Sequence, residues 1–192
     1  MERISFSKPF ITENETAYIN KAIQSSLTCG NHTYTKLCHQ YFTKKYNFKH
    51  RWLTTSCTNA PEMAALLLNI KLNDEVIIPS YTFSSTANAF ILKGAKVVFA
   101  DSCPNNPNID ANLLEALITL KTKAIVVVHY AGIACDMDKI NTIAQKHNLF
   151  IIEDAAQAID SFYNNQPLGS VGDFGALSFH QTKMLFEAKV VC

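Results

Sequence analysis

Four short stretches carry residue types that could do chemistry. Thr54-Thr55-Ser56-Cys57-Thr58 sets hydroxyls and a thiol just ahead of an apolar helical pattern. The first N–H groups of a helix lack intrahelical partners, and the helix dipole favours negative charge there. This turn can therefore cradle a phosphate, or it can be an ordinary N-cap. Ile151-Ile152-Glu153-Asp154-Ala155-Ala156-Gln157 ends an apolar run in two carboxylates followed by small residues. A carboxylate there could hold a metal, a ribose or a protonated ring nitrogen, or it could cap the next helix. Ser178-Phe179-His180-Gln181-Thr182-Lys183 brings a lysine in just after a β-type run. Lysine forms Schiff bases with carbonyl cofactors once its surroundings lower its pKa, although most lysines are solvated surface charges. Pro79-Ser80-Tyr81-Thr82-Phe83 offers aromatic rings that could stack on a flat ligand or pack in the core.

In chain order these are a phosphate cradle, an aromatic plate, an acid and a lysine. Together they suit one ligand, pyridoxal phosphate. An acid beside the pyridine nitrogen keeps it protonated, so that the ring withdraws electrons from a substrate carbanion. The lysine holds the cofactor and, once released, moves protons.

Such residues must be positioned by regular elements, and the sequence alternates β-branched runs with amphipathic stretches. Short strands are expected at Leu53–Thr55, Glu75–Ile78 (stopped by Pro79), Lys96–Ala100, Ala124–Val128, Phe150–Glu153 and Ala176–Phe179. Helices are expected over Thr58–Asn69, where Met63, Leu66, Leu67 and Ile70 recur at helical spacing, and over Ser84–Lys93, stopped by Gly94. Ser56 and Thr58 are suitable N-cap types, and Pro61 fits a first helical turn. Asp110 caps a predicted helix reaching about Leu120, and Asp136 or Asp138 caps another ending near His147. Alternating strands and helices predict a three-layer αβα domain with a mainly parallel sheet. Ligands gather beyond the carboxyl ends of such strands, which is where the four stretches fall.

The 192 residues, 48% of them hydrophobic, suffice for a substantial core. Seventeen basic against sixteen acidic residues leave a net charge of +1, which argues against a nucleic-acid binder. No apolar run approaches a membrane span, and Met1 to Thr12 does not read as a signal peptide. Six cysteines without a CxxC pair predict free thiols in the cytoplasm, and the scattered histidines predict no metal site.

Several motifs resemble the DegT/StrS-type nucleotide-sugar aminotransferases. They are Ser56-Cys57-Thr58 with Glu62 to Leu66, Asp74 to Phe83, Val128-His129-Tyr130-Ala131-Gly132, Glu153 to Gln157, and Ser178 to Lys183. Leu27-Thr28-Cys29-Gly30, Pro79 to Phe90 and His129 to Asp138 further resemble the branch making dTDP-4-amino-4,6-dideoxygalactose for enterobacterial common antigen. The resemblance implies the large domain of a fold-type I pyridoxal-phosphate enzyme acting as a homodimer. It implies transfer of an amino group from glutamate to C4 of a dTDP-4-keto-6-deoxy sugar. Carried over, Lys183 is the Schiff-base lysine and Asp154 the partner of the pyridine nitrogen. Gln157 approaches the ring hydroxyl, and Phe83 stacks on the ring. Ser56, Cys57 (through its backbone N–H) and Ser178 hold the phosphate. A related sugar dehydratase branch has histidine in place of the lysine, so Lys183 points to transamination.

Two features depart from the family. The chain stops nine residues after Lys183, whereas family members continue into a C-terminal small domain. A glycine-rich turn is also expected after the lysine, where this chain reads Met184-Leu185-Phe186-Glu187-Ala188-Lys189. The domain reading is thus an incomplete cofactor-binding large domain over 1–183 and a divergent tail over 184–192. The alternatives to an active enzyme are a non-catalytic remnant, or the N-terminal half of a split aminotransferase that acts with a complementing C-terminal half.

Overall fold

The computed structural model describes residues 11–180 and Lys183. Two compact units share them. Ser56–Ser178 forms one, and residues 11–55 group with Phe179, His180 and Lys183 in the other.

The Ser56–Ser178 unit is built on a five-stranded sheet. Its strands are β1 (Glu75–Pro79), β2 (Lys96–Ala100), β3 (Thr122–Val128), β4 (Phe150–Asp154) and, last in the chain, a short strand Phe174–Ala176. A two-stranded ribbon intervenes, so the ribbon strands are β5 (Phe162–Tyr163) and β6 (Gln166–Pro167), and the last strand is β7. The sheet order is β2-β1-β3-β4-β7, with every pairing parallel. The central runs Val76-Ile77-Ile78 and Ala124 to Val128 are apolar throughout because both faces are covered. On one face α3 (Asn59–Leu67) and α4 (Ser84–Ile91) pack Ala64, Ala65 and Phe90 against Val76, Ile78 and Ile152. On the other, α5 (Leu114–Leu117) and α6 (Met137–His147) pack Leu114, Ile140 and Ile143 against Ile77, Ile125 and Ile151. The expected three-layer architecture is therefore present.

Local signals account for most boundaries. Asp136 caps α6 by accepting from the Lys139 N–H at 3.2 Å, and Asn148 closes it in the left-handed conformation. Gly94 at φ +83° ends the α4 segment, donating to the Ile91 carbonyl.

Five expectations need correction. Leu53–Thr55 is irregular, since no strand among the described residues pairs with it. Asp110 does not open a long helix. Its carboxylate accepts from the Asn112 N–H at 2.9 Å in a local turn, and only Leu114–Leu117 is helical. The last strand lies earlier, at Phe174–Ala176 rather than Ala176–Phe179, because its ladder to β4 pairs Asp154 with Ala176. Finally, α3 buries its small face, Pro61, Ala64 and Ala65, and leaves Leu66 and Leu67 exposed. At the start of α3, Thr58 makes no side-chain cap, and the Ser56 hydroxyl bonds the Asn59 side chain instead.

The ribbon β5–β6 was not expected. Asn164 and Asn165 both sit at positive φ, the geometry of a two-residue hairpin turn.

The other unit contains α1 (Glu15–Gln24) and α2 (Thr33–Tyr46), which hydrophobic spacing left unassigned. Its core is aromatic. Phe42 stacks with Tyr46 at 5.8 Å and meets Phe179 at 5.4 Å, while Tyr46 stacks on Phe48 at 5.3 Å. Phe179 thereby packs against α2 within this unit. Among the described residues no helix is long and apolar enough to cross a membrane.

Candidate active site

Parallel strands end on one edge of their sheet, and the candidate residues of this unit collect along that edge. Phe83 lies four residues beyond the end of β1, Tyr130 two beyond β3, Asp154 at the end of β4 and Ser178 two beyond β7. α3 runs back toward the start of β1 and packs over β4 and β7, so Ser56 and Cys57 at its head come to the same edge.

Period-two alternation separates the paired carboxylates of β4. Glu153 turns to the α6 face and is fully buried. It accepts from the backbone N–H groups of Gly169 (2.8 Å), Val171 (2.7 Å) and Gly172 (2.6 Å). Nε2 of His129 lies 2.8 Å away, and Nδ1 of the same ring accepts from the Cys135 N–H at 3.2 Å. That second bond assigns the ring proton to Nε2, which donates to Glu153. Glu153 is thus a structural anchor for the Gly169–Gly172 loop. Burial pushes the neighbouring Cys135 thiol up to about 12.

Asp154 turns to the α4 face, 9% exposed. Its Oδ2 accepts from the Thr86 hydroxyl at 2.8 Å and its Oδ1 from the Ala156 N–H at 3.2 Å. An ionised carboxylate accepts about four hydrogen bonds, so both oxygens retain acceptor capacity. Of the two acids, Asp154 is therefore the one whose chemistry suits a protonated ring nitrogen.

Gln157 is held by a strained turn. Ala131, at φ +52°, donates its N–H to Gln157 Oε1 at 2.9 Å. That bond leaves the amide NH2 as the donating end, which reaches the Tyr130 phenol oxygen and has the polarity a ring hydroxyl oxygen would need. Asn108, which sequence reasoning missed, fixes this turn by accepting from the Tyr130 N–H at 3.0 Å and donating to the Ile133 carbonyl at 2.9 Å. Tyr130 also pairs with Tyr81, their rings 5.0 Å apart, and a hydrogen bond to Tyr81 raises the Tyr130 phenol above its ordinary range.

Phe83 is 72% exposed, unusual for a phenylalanine held at a strand–helix junction and suitable for a stacking plate. Ser178 is buried. Lys183 belongs to the other unit, where its N–H donates to the His180 carbonyl at 2.9 Å. Gln181 and Thr182 lie outside the described residues.

An acid, an aromatic face and hydroxyls along the carboxyl edge of a parallel sheet suit a phosphorylated aromatic cofactor. The chain as a whole superposes on the PLP-form structure of Spr1654 from Streptococcus pneumoniae with a TM-score of 0.89, at 28% identity and 55% coverage of that chain. Residues 9–189 match the DegT/DnrJ/EryC1/StrS aminotransferase family, and the chain belongs to it. It is 41% identical over 187 residues to the spore coat polysaccharide biosynthesis protein SpsC of Bacillus subtilis, covering 95% of this chain and 46% of that one. It is 36% identical over 185 residues to the GDP-perosamine synthase of Caulobacter vibrioides, covering 96% of this chain and 50% of that one. The chain thus spans about half the length of these relatives. Members of the family depend on pyridoxal phosphate, and Spr1654 is known in PLP and PMP forms.

Proposed function

We propose that this chain supplies the cofactor-binding part of a sugar aminotransferase of nucleotide-sugar biosynthesis. The observation that carries the reading is Asp154, buried at the carboxyl end of β4 with each oxygen oriented by one donor. Bound pyridoxal phosphate would supply an electron sink for the carbon bearing the amino group. The carboxylate of Asp154 holds the proton on the ring nitrogen that this sink requires. Phe83 covers one ring face, and the Gln157 amide NH2 donates to the ring oxygen. The Ser178 hydroxyl and the Cys57 backbone N–H would hold the phosphate, joined by the Ser56 hydroxyl on turning from Asn59. The amine of Lys183 anchors the cofactor and then moves the proton at the reacting carbon.

The narrower reading is amino transfer from glutamate to C4 of a dTDP-4-keto-6-deoxy sugar, as in enterobacterial common antigen or O-antigen synthesis, by a cytoplasmic homodimer. The motif resemblance from Pro79 to Phe90 and from His129 to Asp138 supports it. A second reading rests on the length shared with relatives: the chain acts with a complementing C-terminal half. The test is amino transfer with pyridoxal phosphate, glutamate and a dTDP-4-keto-6-deoxy sugar, with 2-oxoglutarate and the amino sugar followed by mass spectrometry. Both products from this chain alone support the first reading. Products only on addition of the C-terminal half of a relative support the second. No product in either mixture refutes both.

A further inference from the structure

Thr86 is the third residue of α4, in its first turn, fully buried, 68 residues before the acid it touches. A helical threonine ordinarily returns its hydroxyl proton to a carbonyl one turn back. This one donates to Asp154 Oδ2 at 2.8 Å. A hydroxyl has a single proton, so with that proton committed Thr86 can only accept from Thr82, whose hydroxyl lies 3.0 Å away. The result is a directional chain, Thr82 to Thr86 to Asp154. An ionised carboxylate is acceptor-only, and the chain runs in the sense that matches it.

We propose that Thr86 is a positioning residue for the cofactor, holding the Asp154 carboxylate in the orientation that receives a protonated ring nitrogen, with Thr82 polarising it from behind. This rests on the reading of Asp154 as the partner of the pyridine nitrogen. The specific pattern is a donor on each carboxylate oxygen, one from the backbone and one from a side chain on a different element. Removing the Thr86 donor leaves Oδ2 free to rotate, while Oδ1 stays tethered to Ala156. A hydrogen bond to a charged group corresponds to about tenfold or more in an equilibrium.

The test compares Thr86→Val, of matching shape, with Thr86→Ser, which restores the donor. The first readout is the crystal structure of each cofactor-free variant. The Asp154 carboxylate is expected to leave its present orientation in Thr86→Val and to keep it in Thr86→Ser. An unmoved carboxylate in Thr86→Val overturns the proposal. If Thr86→Val does not fold, Thr86→Ala takes its place, and there too the Asp154 carboxylate is expected to leave its present orientation; an unmoved carboxylate overturns the proposal. The second readout is the 15N shift of pyridine-labelled pyridoxal phosphate bound to the parent and the variants. Thr86→Val should move it toward the unprotonated value and weaken binding about tenfold, and Thr86→Ser should do neither. An unchanged shift and affinity in Thr86→Val overturn the proposal. Failure of the parent itself to bind the cofactor counts against the reading of the site, while the crystallographic comparison still decides the role of Thr86.

Discussion

Replacing Glu153 by glutamine tests the separation of the two β4 carboxylates. The parent side chain is fully buried and accepts four hydrogen bonds, three from backbone N–H groups and one from His129. In Glu153→Gln the amide oxygen can keep Val171 and Gly172, but the amide NH2 then faces the Gly169 N–H and the His129 Nε2–H. His129 cannot adapt by moving its proton to Nδ1 without losing the Cys135 bond. Two buried donors lose their acceptor, at about 1–3 kcal/mol each, so the expected loss is about 2–6 kcal/mol. With a urea dependence of about 2 kcal/mol per molar, the unfolding midpoint falls by about 1–3 M. Glu153→Ala strands all four donors at a cost of about 4–12 kcal/mol, comparable with the whole stability of a domain, and should not yield folded protein. The assay is urea unfolding followed by circular dichroism, with the exposed Glu13→Gln as control. A Glu153→Gln midpoint within about 0.3 M of the parent would refute the assignment of Glu153 as a structural anchor.

Phe83→Ala should barely change stability, because the ring is mostly solvent-exposed, yet weaken pyridoxal phosphate binding about threefold to tenfold in a fluorescence titration. Gly175→Ala should destabilise the chain by about 3 kcal/mol or more in urea unfolding, since its new Cβ would run into the Gly169 backbone carbonyl. Cys135, buried and with its thiol pushed up to about 12, should resist alkylation in folded protein while the exposed Cys29 reacts, as peptide mapping can check. Glu115 is held down to about 2 by hydrogen bonds from Lys146 and His147, so its contribution is present above about 4.5, its ordinary value, and is lost as pH falls toward 2. The unfolding midpoints of the parent and Glu115→Gln should therefore converge across that window, by an amount that added salt reduces.

The layers of the larger unit were legible because their signals are local. Ala124 to Val128 is apolar at every position, as a doubly covered strand requires, and Asp136 and Gly94 mark helix ends by their own chemistry. α1 and α2 were missed because their apolar residues do not trace a continuous buried stripe. α1 buries no residue, and α2 buries only Thr35, Phe42 and Tyr46. The α3 face was misjudged because a stripe of alanines, not the larger leucines, fits close against the sheet. Ser56, Phe83, Asp154 and Gln157 could be proposed for the candidate site from motif and strand position alone. The division of labour between Glu153 and Asp154 follows from strand alternation and could have been read from it. Asn108 and Thr86 act through contacts 22 and 68 residues away, which no local pattern reveals.

The central claim is that this chain carries a working cofactor lysine, and borohydride trapping tests it most directly. The purified chain is mixed with pyridoxal phosphate, reduced and digested, and the labelled peptide is identified by mass spectrometry, with Lys183→Ala as control. The account predicts selective label on Lys183 in the parent and none at any single site in Lys183→Ala. Label scattered over many lysines, or no label, would contradict it.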